Sequence, residues 1–337
     1  MKTPLLLATL CAGALPWLGD SVLAAPSAAA KPSLKQVGQS PVKVFILAGQ
    51  SNMEGAAVVD LTGKDYNDGH GTLATLLSDP VKGPMFKHLQ DADGKWTVRH
   101  DVWDRYQREG GPLLAGPHGL GFSVYGDPHH FGPELQFGHV VGDGLSNQVL
   151  LIKTAWGGKS LDVDFRPPSS GGTVGPYYTK MLAQVREALA NLKTDFPGYD
   201  GGGYEVAGFA WWHGWNDFCD AKATAAYEKN LVNLIQDLRQ ELKSPKLPVV
   251  IGEFTGPWLK DAKDLPAAAV AIRKAQEIVA AKPEFKGTVG FVPTRDFVRK
   301  PEDSPHPGHG HHEFGNAETY FLVGDAMGKA MLKLLPK

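Results

Sequence analysis

The sequence predicts an α/β fold built on a five-stranded, mainly parallel sheet with helices on both faces. Short apolar runs of β type alternate with longer stretches of helical periodicity along most of the chain, the pattern of a sheet covered on two sides. With 42% hydrophobic and 21% charged residues among 337, the chain has enough apolar material to bury a large core. Three polar segments each begin just where an apolar run stops, which gathers them at the carboxyl edge of such a sheet, where open α/β folds build their sites.

Residues 1–25 have the three-part order of a secretory signal peptide: Lys2, the apolar stretch from Pro4 to Leu18, then small residues from Ser21 to Ala25. A membrane anchor needs about 20 uninterrupted apolar residues. Pro16, Gly19 and Asp20 break this stretch, and Leu10 stands before Cys11 where a lipoprotein signal would carry a small residue. A secreted or periplasmic protein is expected, with no membrane contact once the signal is removed. Residues 26–40, rich in Ala, Ser, Lys and Pro, hold too little apolar surface to order themselves and read as a linker.

Residues 41–337 read as one domain. The first strand is predicted over 43–48. The interval 56–136 carries Gly, Pro, His, Asp and scattered aromatics without a sustained period, so it reads as a long irregular insertion around the site. Further strands are predicted over 148–154, 205–211, 247–253 and 287–293. A helix over 177–192 sets Met181, Leu182, Val185, Leu189 and Leu192 on one face, and a helix over 227–242 does the same with Leu231, Leu234, Ile235, Leu238 and Leu242. Both faces should lie on the sheet. Helices over 265–281 and 317–335 complete the pattern, the last with Asn316 placed to cap its free amides.

The charge balance narrows the partner. With 34 Lys+Arg against 36 Asp+Glu the formal charge is −2, and no basic run is interleaved with aromatics, so neither nucleic acid nor an anionic membrane is favoured. A neutral small molecule or carbohydrate fits better. Without the signal, Cys219 is the only cysteine, so the fold must rest on its core rather than on a disulfide. Oligomeric state is not legible.

The chemistry lies in the segments that follow the strands. Gly49-Gln50-Ser51-Asn52 places a serine just past the first strand, where it is either a turn residue or a nucleophile. Thr154 to Ser160 follows the second strand and Trp211 to Asp217 the third. A hydrolase that forms a tetrahedral oxyanion needs preorganised donors, and glycine amides and an asparagine side chain can supply them. Gly157 or Gly158, Asn216 and the Ser51 amide are the candidates. Serine also needs a neutral imidazole to take its proton, and His311 or His312, just before the last helix, can serve. The competing reading gathers His306, His309, His311 and His312 around a metal, but no H-E-x-x-H pattern accompanies them.

Together these residues resemble the SGNH, or GDSL-like, hydrolases, most closely the sialate O-acetylesterase and acetylxylan esterase branch (carbohydrate esterase family six type). That branch carries G-Q-S-N, as in Gly49 to Asn52, and a G-x-N-D block, matched by Gly214-Trp215-Asn216-Asp217. Trp211-Trp212-His213-Gly214 is similar to its W-x-Q-G approach with His for Gln, and Gly132-Pro133-Glu134-Leu135 and Thr154 to Ser160 also look like its blocks. The resemblance implies a three-layer α/β/α sandwich with a flavodoxin-like sheet. It also implies Ser51 as nucleophile, with its own amide, Gly158 and Asn216 as oxyanion donors and His312 as general base. Gln50, Trp156, His213 and Trp215 are then expected at the substrate. The chain departs from the family where D-x-x-H would put an acid, because His309 stands there. Asp303, in the same loop, is the candidate that can reach back, and Glu313 is too near in sequence to be a natural partner.

The leading expectation is thus an exported serine esterase that removes acetyl groups from carbohydrate through an acyl-enzyme, without metal or organic cofactor. The alternatives are a general short-acyl or lipase-like esterase and a carbohydrate-binding protein that kept the fold and lost catalysis.

Overall fold

A computed structural model describes residues 35–256 and 265–336. The expected signal peptide and most of the linker lie outside the described residues. The strands are β1 (Gln39–Gly49), β2 (Ala57–Val58), β3 (Arg99–Gln107), β4 (Leu113–His118), β5 (His130–Phe131), β6 (Asn147–Ala155), β7 (Tyr204–Trp212), β8 (Val249–Gly252) and β9 (Val289–Val292). Seven of them form the central sheet in the order β4-β3-β6-β1-β7-β8-β9, and β2 pairs with β5 in a separate ribbon. Every neighbouring pair of the sheet is parallel except β3 with β4. The five strands expected from the sequence are β1, β6, β7, β8 and β9. Their spatial order is second, first, third, fourth, fifth, the flavodoxin-like arrangement, whose switch point lies between β1 and β7.

The sheet has seven strands rather than five because the interval 56–136 contributes β3 and β4. Charge hides β3 in the sequence. Its Asp104 and Arg105 are buried, Asp104 against His118 at 2.6 Å and Arg105 against Asp195 at 2.7 Å and Glu187 at 2.9 Å. A buried charge is tolerated only when paired, and the partners of Arg105 lie far off in sequence.

Along β1 the side chains alternate between two cores, as a period of two requires. Val44, Ile46 and Ala48 pack under helices Pro176–Ala190, Ala221–Glu241 and Ala267–Ala281. Phe45 and Leu47 point the other way, under Glu134–Gly144 and Ala317–Leu334. Each fully buried aliphatic or phenylalanine side chain contributes roughly 1.5–3 kcal/mol by leaving water. The helix Glu134–Gly144 went unpredicted because buried Glu134, Gln136 and His139 break its apolar stripe. The helix expected over 227–242 starts earlier, at Ala221, where Asp220 accepts from the Ala223 amide at 2.8 Å. Asn316 caps the last helix by accepting from the Thr319 amide at 3.2 Å.

This topology positions the site. Gly49 at the end of β1 pairs with Ala155 of β6 on one side and Trp212 of β7 on the other. The turns that follow all three strands therefore emerge together at one rim.

Candidate active site

Ser51 opens a four-residue helical turn, Ser51–Glu54, directly after β1, and is partly exposed. Three sets of hydrogen bonds tie its turn and the other motif segments together.

Gln50 makes the first. Its Oε1 accepts from the Gly214 and Trp215 amides, both at 2.9 Å, and its Nε2 donates to Asn216 Oδ1 at 3.1 Å. Two backbone donors leave Gln50 one possible orientation, since an amide nitrogen in the same place would face both N–H groups. Asn216 must then present its oxygen to Gln50, which leaves its Nδ2 as the outward donor.

Asp217 and His213 make the second. Asp217 accepts from the Leu161 amide at 2.7 Å and the Asp162 amide at 2.9 Å. Burial pushes its carboxyl up to about 7 against the pull of those amides. His213 donates from Nε2 to the Lys159 carbonyl at 2.8 Å and is held neutral by burial, at about 3. The turn after β6 is thus stitched to the turn after β7. Within it the Gly157 amide is committed to the Glu54 carboxylate, whose Oε2 lies 3.1 Å from where a Gly157 Cβ would stand. Such a Cβ would also lie 3.6 Å from Ser51 Cβ. Gly158 has φ +70, a left-handed conformation suited to glycine, and its amide has no acceptor among the described residues. It is the free donor of the pair.

Asn52 makes the third. Its Nδ2 donates to Glu313 Oε1 at 3.1 Å, and its Oδ1 accepts from Tyr320 at 2.8 Å. The same Tyr320 hydroxyl lies 3.2 Å from the His312 carbonyl, and Thr255 donates to Glu313. Glu313 and Phe314 have φ of +50 and +56, left-handed values that are strained for side chains of this size. Burial raises the Glu313 carboxyl to about 8.

The His312 imidazole is mostly buried, and burial, then the neighbouring His311, His309 and His306, lowers it to about 3. It is therefore neutral at pH 7 and able to accept a proton. No hydrogen bond joins Ser51 to the His312 ring among the described residues; their segments are joined through the Asn52–Glu313 bond and through Tyr320, which reaches both Asn52 and the His312 carbonyl. No carboxylate is hydrogen-bonded to the His312 ring among the described residues. Asp303 is exposed, and the bond it gives the site is through its carbonyl, which accepts from Asn316 Nδ2 at 3.2 Å. The four histidines of this loop pack ring to ring at tilted angles, and no group of three potential metal ligands converges among the described residues.

The expected sugar contacts divide. Trp156 and His213 are 1% and 2% exposed, and Trp211 and Trp212 are likewise buried, so all four serve the core. Trp215 is partly exposed beside Phe218, at 5.7 Å between ring centroids. Sequence reasoning missed the layer beneath the serine: Tyr106 donates to Glu54 at 2.7 Å, and Lys153 reaches the Glu54 carbonyl at 2.9 Å and Glu134 at 2.7 Å. Burial raises both carboxyls. The signal available for Glu54 was its place in the Gly49 to Gly55 motif.

A flavodoxin-like sheet with a serine at its switch point and glycine, asparagine and histidine segments stitched around it is the arrangement of the SGNH hydrolase class. Within that class the chain belongs to the carbohydrate esterase, sialic acid-specific acetylesterase family, whose model matches residues 41–316. It is 25% identical over 223 residues to a probable carbohydrate esterase of Arabidopsis thaliana, covering 63% of this chain and 70% of that protein. A solved Arabidopsis thaliana structure superposes with a TM-score of 0.55 at 18% identity, covering 87% of this chain and 98% of that one. The structure of NanS does so with 0.53 at 15%, again covering 87% and 98%. The chain is accordingly a carbohydrate esterase, a hydrolase of carboxylic esters.

Proposed function

We propose that this protein is an exported serine esterase that removes O-acetyl groups from carbohydrate through an acetyl-enzyme. The observation that carries the reading is the forced orientation of Asn216, whose Nδ2 is left as a donor by Gln50 while the Gly158 amide has no acceptor among the described residues. Ser51 Oγ attacks the acetyl carbonyl and passes its proton to His312. The carbonyl oxygen becomes an oxyanion held by the Ser51 amide, the Gly158 amide and Asn216 Nδ2. The intermediate collapses, the bond to the sugar oxygen breaks, and His312 returns the proton to that oxygen. Water then attacks the acetyl-enzyme, giving its proton to His312, and acetate leaves as Ser51 recovers the proton.

No acid is needed to take up a proton in this cycle, because the third member of a triad orients the imidazole and stabilises its charged form. Here Tyr320 at the His312 carbonyl and the Asn52–Glu313 bond hold the backbone that carries the imidazole. His312 suits the base better than His311, since His311 is exposed and His312 is tied to the serine turn. Acetate release from acetylated glycans tests the reading. Ser51→Ala and His312→Ala should abolish it, His311→Ala should retain turnover of p-nitrophenyl acetate, and intact-mass analysis of a quenched reaction should show one acetyl group on the native chain but not on Ser51→Ala. Native protein that binds glycans yet releases no acetate would make the chain a binding protein instead. Amino-terminal sequencing of the protein from culture medium or periplasm checks export and the cleavage expected near Ala25.

A further inference from the structure

A line of rings runs along the rim beside His312. Tyr66 packs on His306 at 4.9 Å between centroids, His306 on His309 at 5.2 Å, His309 on His311 at 5.9 Å and His311 on Trp215 at 6.0 Å. His311 also packs on His312 at 4.2 Å, so the line passes the candidate base. It joins segments far apart in sequence: the turn Lys64–Gly69, the loop before the last helix and the turn after β7. His309 and His311 are exposed, and Tyr66, His306 and Trp215 are partly so.

No histidine of the line is paired with a carboxylate among the described residues. The histidine–carboxylate pairs among the described residues involve His118, His129, His130 and His213 instead. Partial desolvation, with the nearby His309, lowers His306 and His311 from their ordinary 6.5. At the far end Tyr66 feels the negative charges of Asp127 and Asp65, which would repel an anionic chain. A partly exposed row of rings without carboxylate partners suits the polarised C–H faces of sugar rings, and rings already packed on one another lose little freedom on binding.

We propose that Tyr66, His306, His309, His311 and Trp215 form a stacking track for a neutral glycan chain, which runs past His312 and places one of its acetyl esters at Ser51. The substrate is then an acetylated oligosaccharide or polysaccharide rather than a single sugar, because one ring would cover only the part of the track next to His312. This inference rests on the carbohydrate esterase reading. The test compares partially acetylated xylohexaose, partially acetylated xylobiose and p-nitrophenyl acetate as substrates of the native enzyme, Tyr66→Ala and His309→Ala. The hexaose should have the higher kcat/KM in the native enzyme, and each variant should lose that advantage severalfold through KM. Turnover of p-nitrophenyl acetate should stay native, which also shows that the variants fold. Equal rates on both lengths, or an advantage unchanged in both variants, would overturn the track, as would stoichiometric zinc uptake that His309→Ala removes. Hydrolysis of p-nitrophenyl acetate with no acetate released from any glycan would sink the carbohydrate reading, and the track with it.

Discussion

Asn52, the residue after Ser51, donates to Glu313, the residue after His312, across 3.1 Å. This bond spans most of the chain and joins the two segments that must act together. Tyr320 reinforces it by reaching both Asn52 and the His312 carbonyl. The strained backbone at Glu313 and Phe314 is therefore held by side chains from the serine turn and the last helix rather than by its own preference.

Asn52→Ala removes this joint without touching an atom of the reacting ester. It should lower kcat roughly 10- to 100-fold, about 1.4–2.7 kcal/mol of barrier, with KM little changed. Steady-state kinetics on a single acetylated substrate measures the split. A native kcat would show that His312 is positioned without Asn52.

Gln50→Glu tests the orientation of Asn216. A carboxylate can still accept from the Gly214 and Trp215 amides, but it has no donor for Asn216 Oδ1. Asn216 should turn its Nδ2 toward the new charge and leave the oxyanion. Loss of one such donor costs about 10²–10³ in kcat, and melting temperature should change far less than activity. Gln50→Glu with native kcat would remove Asn216 from the oxyanion hole.

The parts of this architecture that could be read in the sequence are those whose cause is local. The strand at Val44 to Ala48 is uninterrupted apolar residues ending at a small polar turn, and the helices that cover it carry their stripe at helical spacing. What escaped depends on partners distant in sequence. Arg105 reads as a surface residue until Asp195 and Glu187 are brought beside it. Glu313 was set aside because it neighbours His312 in the chain, yet its carboxyl turns to Asn52 rather than to the imidazole. Trp156 looked available to a sugar because its motif lies at the rim, but its ring packs inward against Phe165 and Tyr177.

Arg105→Ala should be among the most destabilising single changes. It leaves buried Asp195 without its cation and opens space under the sheet edge. Breaking a buried pair by removing one partner costs about 3–5 kcal/mol, which denaturant titration would resolve. Arg105→Met, which refills the space but not the charge, should recover only part of the loss. A midpoint shift near zero in both variants would show that the pair is not held in solution.

The two perturbed neighbours in the last loop should respond oppositely to pH. His312 is lowered from 6.5 to about 3, so the folded protein binds fewer protons than the unfolded chain across that window. Its contribution to stability is present above pH 6.5 and is lost as pH falls toward 3. Because the neutral imidazole is the working base, kcat/KM should persist well below pH 6.5, and His311→Ala, which removes one repelling neighbour, should move the acid limb upward. Glu313 is raised from 4.5 to about 8, so the fold holds a proton that the unfolded chain releases. Its contribution is present below pH 4.5 and fades as pH rises toward 8. Glu313→Gln carries no such proton, so its melting temperature relative to native should rise steadily between pH 5 and pH 8. A constant difference over that range would mean that Glu313 is already ionised in the fold, with Asn52 and Thr255 stabilising its charge.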